Sequence, residues 1–254
     1  MNDTVISWTK VTWNPTHGCH KISEGCRNCY AATLSLKYGW TKKPWTAPNK
    51  EENVLLKPHK LNEPYKLKEP SKIFVNSMSD LGHESIPNEY LAQIFRVMND
   101  LPQHTFQVLT KRPERFIRWP GPWTPNIQLG VSVEDMRALK RIDLLRQTGA
   151  KTLFLSCEPL IAPLGQFNLD RIDWVIVGGE SGPGFRPMPH SWAREIRDQC
   201  LSVGTAFFFK QSAAWKTEIG TGLRHEDGSF WVWRQFPREH HAPALAPAHK
   251  YSGE

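Results

Sequence analysis

Thr152-Leu153-Phe154-Leu155-Ser156-Cys157-Glu158, Trp174-Val175-Ile176-Val177-Gly178-Gly179-Glu180 and Ala206-Phe207-Phe208-Phe209-Lys210-Gln211 share one plan. A short run, β-branched or aromatic and apolar nearly throughout, ends in polar or charged residues. Such runs fit strands buried on both faces, as in a parallel sheet, because neither face has to meet water. The plan recurs upstream at Ile73-Phe74-Val75, at Thr105-Phe106-Gln107-Val108-Leu109 and at Ile127-Gln128-Leu129-Gly130-Val131. Helical patterns lie between most of these runs. Asn88 to Leu101 places Leu91, Ile94, Phe95 and Met98 on one face. Asp135 to Thr148 does the same with Met136, Leu139, Ile142 and Leu145, with Gly149 expected as its C-terminal cap. Ser191 to Val203 reads as a third helix, with Ser191 as its N-cap and Gly204 beyond its end. Strand–helix alternation with short connections predicts βαβ units. With a further strand expected near Val5 to Thr12, the runs predict an α/β fold. Its form is a parallel (β/α) barrel, or a partial TIM-type barrel, of six or seven strands, as one domain over residues 1–237.

Two segments break the rhythm. Residues 39–70 carry Pro44, Pro48, Pro58, Pro64 and Pro70 among many lysines, and read as an insertion or lid with little regular structure. Residues 238–254 (Arg-Glu-His-His-Ala-Pro-Ala-Leu-Ala-Pro and onward) read as a disordered tail. The first thirty residues hold no uninterrupted apolar core, so no secretory signal is expected. No run approaches the roughly 18 apolar residues of a membrane span. Five cysteines, an odd number, fit a reducing cytoplasm better than a disulfide framework. Lys plus Arg number 32 against 25 Asp plus Glu, a net charge of +7, and there are eleven Trp. That balance allows a nucleotide or nucleic-acid partner, and the lack of a long apolar run gives no expectation of a membrane partner.

In a parallel α/β barrel the reactive face lies at the C-terminal ends of the strands. The residues that follow each run are therefore the candidates for chemistry: Asn76 to Asp80, Thr110 to Arg112, Ser132 to Asp135, Ser156 to Pro159, Gly178 to Gly182, and Lys210 to Ser212. A turn alone explains a Ser, Asp or Gly there. It does not explain three glutamates a few residues past buried runs, at Glu134, Glu158 and Glu180. Gly178 and Gly179 let the backbone approach a ligand, and Glu180 beyond them suits an ammonium or ribose hydroxyls. Lys111-Arg112 and Arg186 are candidates for a phosphate or carboxylate. Cys157, at a strand end, is a candidate reactive thiol; Cys200, in a helix, reads as core.

The sharpest motif is Gly18-Cys19-His20-Lys21-Ile22-Ser23-Glu24-Gly25-Cys26-Arg27-Asn28-Cys29-Tyr30, a C-x6-C-x2-C spacing. Three thiolates so close in sequence can hold one metal centre and leave one metal position open, whereas closed structural sites recruit four protein ligands. His17 is the better-placed candidate for a fourth ligand, which would close the site and favour zinc. The stretch Asn14-Pro15 … Gly18-Cys19 … Gly25-Cys26 … Cys29-Tyr30-Ala31 resembles the cluster loop of radical S-adenosylmethionine enzymes, in particular the photoproduct-lyase-like branch. The usual spacing there is C-x3-C-x2-C with an aromatic residue before the last Cys. Here the first gap is longer, and Asn28 stands at the aromatic position with Tyr30 just after. From Trp8 to about Phe236 the chain also resembles an uncharacterised phage and prophage family with an N-terminal three-cysteine motif.

The resemblance implies a radical S-adenosylmethionine enzyme with a [4Fe–4S] cluster on Cys19, Cys26 and Cys29, S-adenosylmethionine as second cofactor, and an external electron donor. On that reading the strand ends supply Glu134, Glu158, Glu180 and Lys210 as candidate catalytic groups. They supply Asn76, Ser77, Ser132, Gly178, Gly179, Glu180 and Gln211 as candidate cofactor contacts. The substrate class that the basic balance suits is a nucleotide or nucleic acid. The alternative is a zinc-stapled nucleic-acid-binding protein without catalytic activity.

Overall fold

The computed structural model describes residues 1–237 and 249–250. Seven parallel strands form one curled sheet in chain order: β1 (Val11–Trp13), β2 (Lys72–Val75), β3 (Thr105–Thr110), β4 (Ile127–Ser132), β5 (Thr152–Cys157), β6 (Trp174–Gly178) and β7 (Ala206–Gln211). Each strand pairs with the next, and β1 and β7 do not meet, so the sheet is a half-barrel. Both edges are covered by chain running the other way. Asn2–Asp3 pairs antiparallel with β1. At the other edge the Phe209 amide donates to the Trp233 carbonyl (2.7 Å) and the Gln235 amide to that of Phe207 (3.1 Å). Covered edges leave no row of free backbone groups for another chain to add to.

The strand side chains alternate between two apolar layers, although both sheet faces are buried. Ile73, Val75, Phe106, Val108, Leu129, Leu155, Val175 and Phe209 belong to the outer layer under the helices. Phe74, Phe154, Trp174, Ile176 and Phe208 point the other way and form an inner cluster with Trp8. Trp174 is at its centre, with its indole N–H donating to the Gln235 carbonyl (2.9 Å) and its ring against Trp8, Phe154, Phe208 and Phe236. This inner cluster fills the barrel beneath the strand ends.

Four helices matter to the site: α1 (Tyr30–Lys37), α2 (Asn88–Asp100), α3 (Lys140–Arg146) and α4 (His190–Val203). Buried Leu91, Ile94, Phe95 and Met98 of α2 carry the face expected from the sequence, and Tyr90 and Val97 widen it. The helix expected over 135–148 is split into a 3-10 turn, Met136–Ala138, and α3. Asp135 caps the turn, its carboxylate accepting from the Arg137 amide (2.9 Å). Gly149 is not the cap of α3; the Trp123 indole lies where its side chain would be. Ser191 is not the N-cap of α4 either, since the helix begins at His190 behind Pro189, while Gly204 does end it in the left-handed region at φ 78°. Helices α2, α3 and α4 connect β2 to β3, β4 to β5 and β6 to β7, α1 lies in the long connection from β1 to β2, and the remaining connections are loops with at most a short helical turn.

Residues 39–70 hold short pieces: 3-10 turns at Ala47–Asn49, Pro58–Lys60 and Pro64–Lys66, a helical turn at Lys50–Asn53, and the strand Leu55–Leu56, which pairs with Thr16–His17. The expectation for 238–254 falls outside the described residues, except for His249–Lys250, which pairs antiparallel with Val232 and Trp231. Among the described residues no helix is long and apolar enough to cross a membrane.

Trp174→Ala should cost about 3–5 kcal/mol in urea denaturation, because it opens a cavity in the inner cluster. Leu201→Ala, on the exposed side of α4, should stay within about 0.5 kcal/mol of wild type. Equal effects from the two would show that the inner layer is not a packed core.

Candidate functional site

At the C-terminal ends of the strands lies a cavity of about 590 Å³, within the usual range for small-molecule sites. Cys19, Cys26 and Cys29 are all on its wall, with Asn76, Ser77, Ser132, Glu158, Gly179, Glu180, Lys210 and Gln211 from five of the strand ends. Glu134 and Gly178 are not on that wall, which corrects two of the expected positions. Trp8, Phe74 and Leu109 supply apolar wall next to the polar groups.

The cysteine loop is held by two glutamates. Ser23 donates to Glu134 Oε1 (2.9 Å), and Arg141 (2.6 Å) and Lys111 (3.2 Å) flank the same carboxylate. Gly25 rests on it so closely that a Cβ there would sit 2.3 Å from Glu134 Cγ. Glu134 is 1% exposed. It therefore acts on the loop and does not face a ligand. Glu180 does the same from the next side. It accepts from the Asn28 amide (2.9 Å) and from the Arg186 backbone N–H (2.9 Å), Nε (3.0 Å) and Nη2 (2.5 Å). Arg186 also donates to the Glu24 carbonyl (3.1 Å). The expected role of Glu180 in taking an ammonium is thus filled by Arg186. The carboxylates expected as partners for Lys111, Arg112 and Arg186 belong to the chain itself.

Arg112 links the loop to β2 and β3. Its Nη1 donates to Asp80 Oδ2 (2.8 Å) and to Cys19 Sγ (3.4 Å), and its Nη2 to the His20 carbonyl (3.1 Å). Asp80 also accepts from Thr110 Oγ1 (2.6 Å) and from the amides of Lys111 (3.1 Å) and Gly82 (2.9 Å). Burial would raise the Asp80 carboxyl, but Arg112 and these donors hold it below its ordinary value. Burial works the same way on Glu134 and Glu180, and Lys111 with Arg141, and Arg186 with Asn28, outweigh it. Burial pushes the Cys19 thiol up to about 12, with Asp80 adding and Arg112 opposing, and raises that of Cys29.

Glu158 and Lys210 face each other on the wall at 3.3 Å, and Ser156 donates to Glu158 (3.2 Å). Gly178 leaves the room for that carboxylate, since a Cβ there would lie 2.6 Å from Glu158 Oε1. Asn76, at φ 66°, donates from Nδ2 to Thr16 Oγ1 (2.8 Å), while its buried Oδ1 has no partner among the described residues. Gln211 donates to the Gly179 carbonyl (3.0 Å) and accepts from Thr217 and the Glu218 amide, so its amide fixes a rim loop. Ser77 exchanges hydrogen bonds with Asn14, and Gly179 packs on the Ser212–Ala213 backbone.

His17 does not join the thiols. Its Nε2 is 2.8 Å from Ser35 Oγ, and its ring lies edge-on to Trp40 and Trp45. Cys157 is fully buried in the outer layer with its thiol well above its ordinary value, so it is core and not a reactive thiol. Among the described residues the His, Cys, Asp and Glu ligand atoms that all fall within 4.8 Å of one another are those of His20, His83 and Glu84, not the three thiols. One zinc at about 2.3 Å from each sulfur would draw the thiolates closer than that. A cluster that gives each thiolate its own iron needs wider spacing. Arg112 at Cys19 and Lys111 near Cys29 offset part of the cost that burial puts on the thiolates a cluster would need.

Over residues 3–240 the chain matches the family described as "Protein of unknown function (DUF5131)". It belongs to that family. No curated protein matches the chain, and no solved structure does. The match runs from the first strand past the last barrel strand, so the cysteine loop and every strand end lie inside it.

Glu134→Gln should destabilise the fold by about 3–5 kcal/mol, since Lys111 and Arg141 then lack their buried counter-charge. Glu158→Gln, on the cavity wall, should stay within about 1 kcal/mol. Equal losses in urea denaturation would show that Glu134 does not hold the loop.

Acid should act in two stages on the metal-free protein. Burial lowers His17 and His83 to about 4. The unfolded chain protonates first, so stability falls from about pH 6.5 down to about pH 4. Asp80, Glu134 and Glu180 have folded values below their unfolded ones. Their stabilisation is whole above about pH 5 and is lost as pH falls through the lowered values. The urea midpoint followed from pH 7 to 3 reads both stages. A midpoint flat from pH 7 to 5 would mean the histidines are not held neutral.

Proposed function

We propose that the chain is a radical S-adenosylmethionine enzyme in which Cys19, Cys26 and Cys29 bind a [4Fe–4S] cluster. One observation carries the reading: the three thiols and the polar strand ends share the wall of one cavity at the C-terminal end of a parallel half-barrel. A cluster held by Cys19, Cys26 and Cys29 would supply one-electron reductive cleavage of S-adenosylmethionine, with methionine as the leaving group, for hydrogen abstraction from a substrate.

The chain's own groups prepare that site. Lys111 and Arg112 keep positive charge beside the thiols and favour the thiolate form that ligation needs. The inner aromatic cluster closes the barrel below and excludes water from that side. Asn76 Oδ1, held in place and without a partner, supports contact with a donor on a ligand. Glu158 and Lys210 are the charged pair on the wall that can meet a charged ligand group or hold a proton for it. Glu134 and Glu180 position the loop. The reduction requires an external one-electron donor, and the basic balance of the chain supports a nucleotide or nucleic acid as substrate.

Anaerobically purified protein should be brown and contain iron and sulfide. Cys19→Ala, Cys26→Ala and Cys29→Ala should each lose the iron, and Cys200→Ala should keep it. Reduced wild type should form 5′-deoxyadenosine from S-adenosylmethionine. A colourless protein with one zinc per chain, or full iron in Cys26→Ala, overturns the reading.

A further inference from the structure

The mouth of the cavity carries an aromatic side chain that the barrel does not use. Trp215 lies on the cavity wall yet is 66% exposed. Its only ring neighbour among the described residues is Phe185, edge-on at 6.3 Å. The loop beneath it is pinned on both sides. The Ala214 amide donates to the Glu180 carbonyl (3.0 Å), the Gly182 amide to the Ala214 carbonyl (3.0 Å), and Gln211 accepts from Thr217 and Glu218. An exposed aromatic ring on the wall of a cavity is free to stack on a ligand.

The charges around the mouth point to what covers it. The buried carboxylates of the site are all paired: Asp80 with Arg112, Glu134 with Lys111 and Arg141, Glu158 with Lys210, and Glu180 with Arg186. They therefore do not repel an anion as free strand-end glutamates would. Three exposed cations in these loops have no side-chain partner among the described residues: Lys216, next to Trp215, Arg27, between Cys26 and Cys29, and Lys21 on the wall, which donates to the Arg27 carbonyl (2.7 Å). The loops that carry Arg27 and Trp215 both contact the Glu180–Arg186 segment. An exposed aromatic ring on the cavity wall, with Lys21 on the same wall and exposed cations in the two loops that meet the Glu180–Arg186 segment, suits a base and its flanking phosphates. A sugar would ask for free carboxylates, and those of the site are already engaged.

We propose that the mouth binds a single strand of nucleic acid, with one base stacked on Trp215 and the neighbouring phosphates on Arg27, Lys216 and Lys21, so that an adjacent base can enter the cavity. A base inside a duplex cannot reach such a pocket without leaving its stack. The substrate class rests on the reaction proposed above, but the binding does not require the metal, so the two can fail separately.

Fluorescence anisotropy with labelled single-stranded DNA, single-stranded RNA and duplex DNA tests this, with free mononucleotides as competitors. Wild type should prefer a single strand to the duplex. Whichever of DNA and RNA binds more tightly names the source. Trp215→Ala should weaken binding about tenfold, and Trp215→Phe should restore most of it. Lys216→Ala and Arg27→Ala should each lower the slope of log affinity against log salt by about 0.7. Thermal midpoint and iron content should not change in Trp215→Ala or Lys216→Ala. Binding that persists in Cys26→Ala would leave this proposal standing even if the cluster reading fell. Equal affinity of Trp215→Ala and wild type, a preference for duplex, or no binding of either strand type overturns it.

Discussion

The Glu134 carboxylate lies just past a barrel strand, almost wholly out of water, between Lys111, Arg141 and the Ser23 hydroxyl. Ionised and unpaired, it would be too costly to bury; paired with two cations it becomes a fixed anchor. The cysteine loop is built onto it, with Gly25 against its side chain. Glu180 repeats the arrangement through Arg186 and Asn28, and Asp80 through Arg112. A loop of C-x6-C-x2-C spacing is long enough to be loose by itself. Three strand-end carboxylates hold it to the barrel mouth, and the position of the thiols depends on them.

The half-barrel provides the other constraint. Its strands alternate between a helix-covered outer layer and an inner aromatic cluster, so the interior is filled below the strand ends and open above them. A closed barrel would leave less room. Here the covering segments at Asn2–Asp3 and Trp233–Gln235 satisfy the edges while the mouth stays wide. The cavity is thus an outcome of topology, and its chemistry an outcome of which residues follow each strand.

The strand-end glutamates have different roles that no property of the single residues distinguishes. Glu158 meets Lys210 on the wall, whereas Glu134 meets Lys111 and Arg141 behind the loop. All follow apolar runs at similar distance. What separates them is the partner that the fold delivers from a distant part of the chain, and that partner sets both the direction of the carboxylate and the charge a ligand would meet.

From the sequence alone the strands and their parallel order were legible, because runs such as Trp174-Val175-Ile176-Val177 are apolar on both faces and helices separate several of them. The grouping of Cys19, Cys26 and Cys29 was legible because they are close in the chain, and Asn76, Ser132, Glu158 and Lys210 because a strand's end is a local property. Local signals misled at Ser191 and Gly149, where Pro189 and the packing of Trp123 decide the helix ends. They also misled at Cys157, which the direction of one strand residue puts into the outer layer. Only the tertiary structure could place Arg112 on Cys19, Asn28 on Glu180 and Trp215 at the mouth. These contacts join residues far apart in sequence. The pattern of a chain fixes which face a residue takes within its own element, and the folded sheet fixes which residues from other elements meet it there.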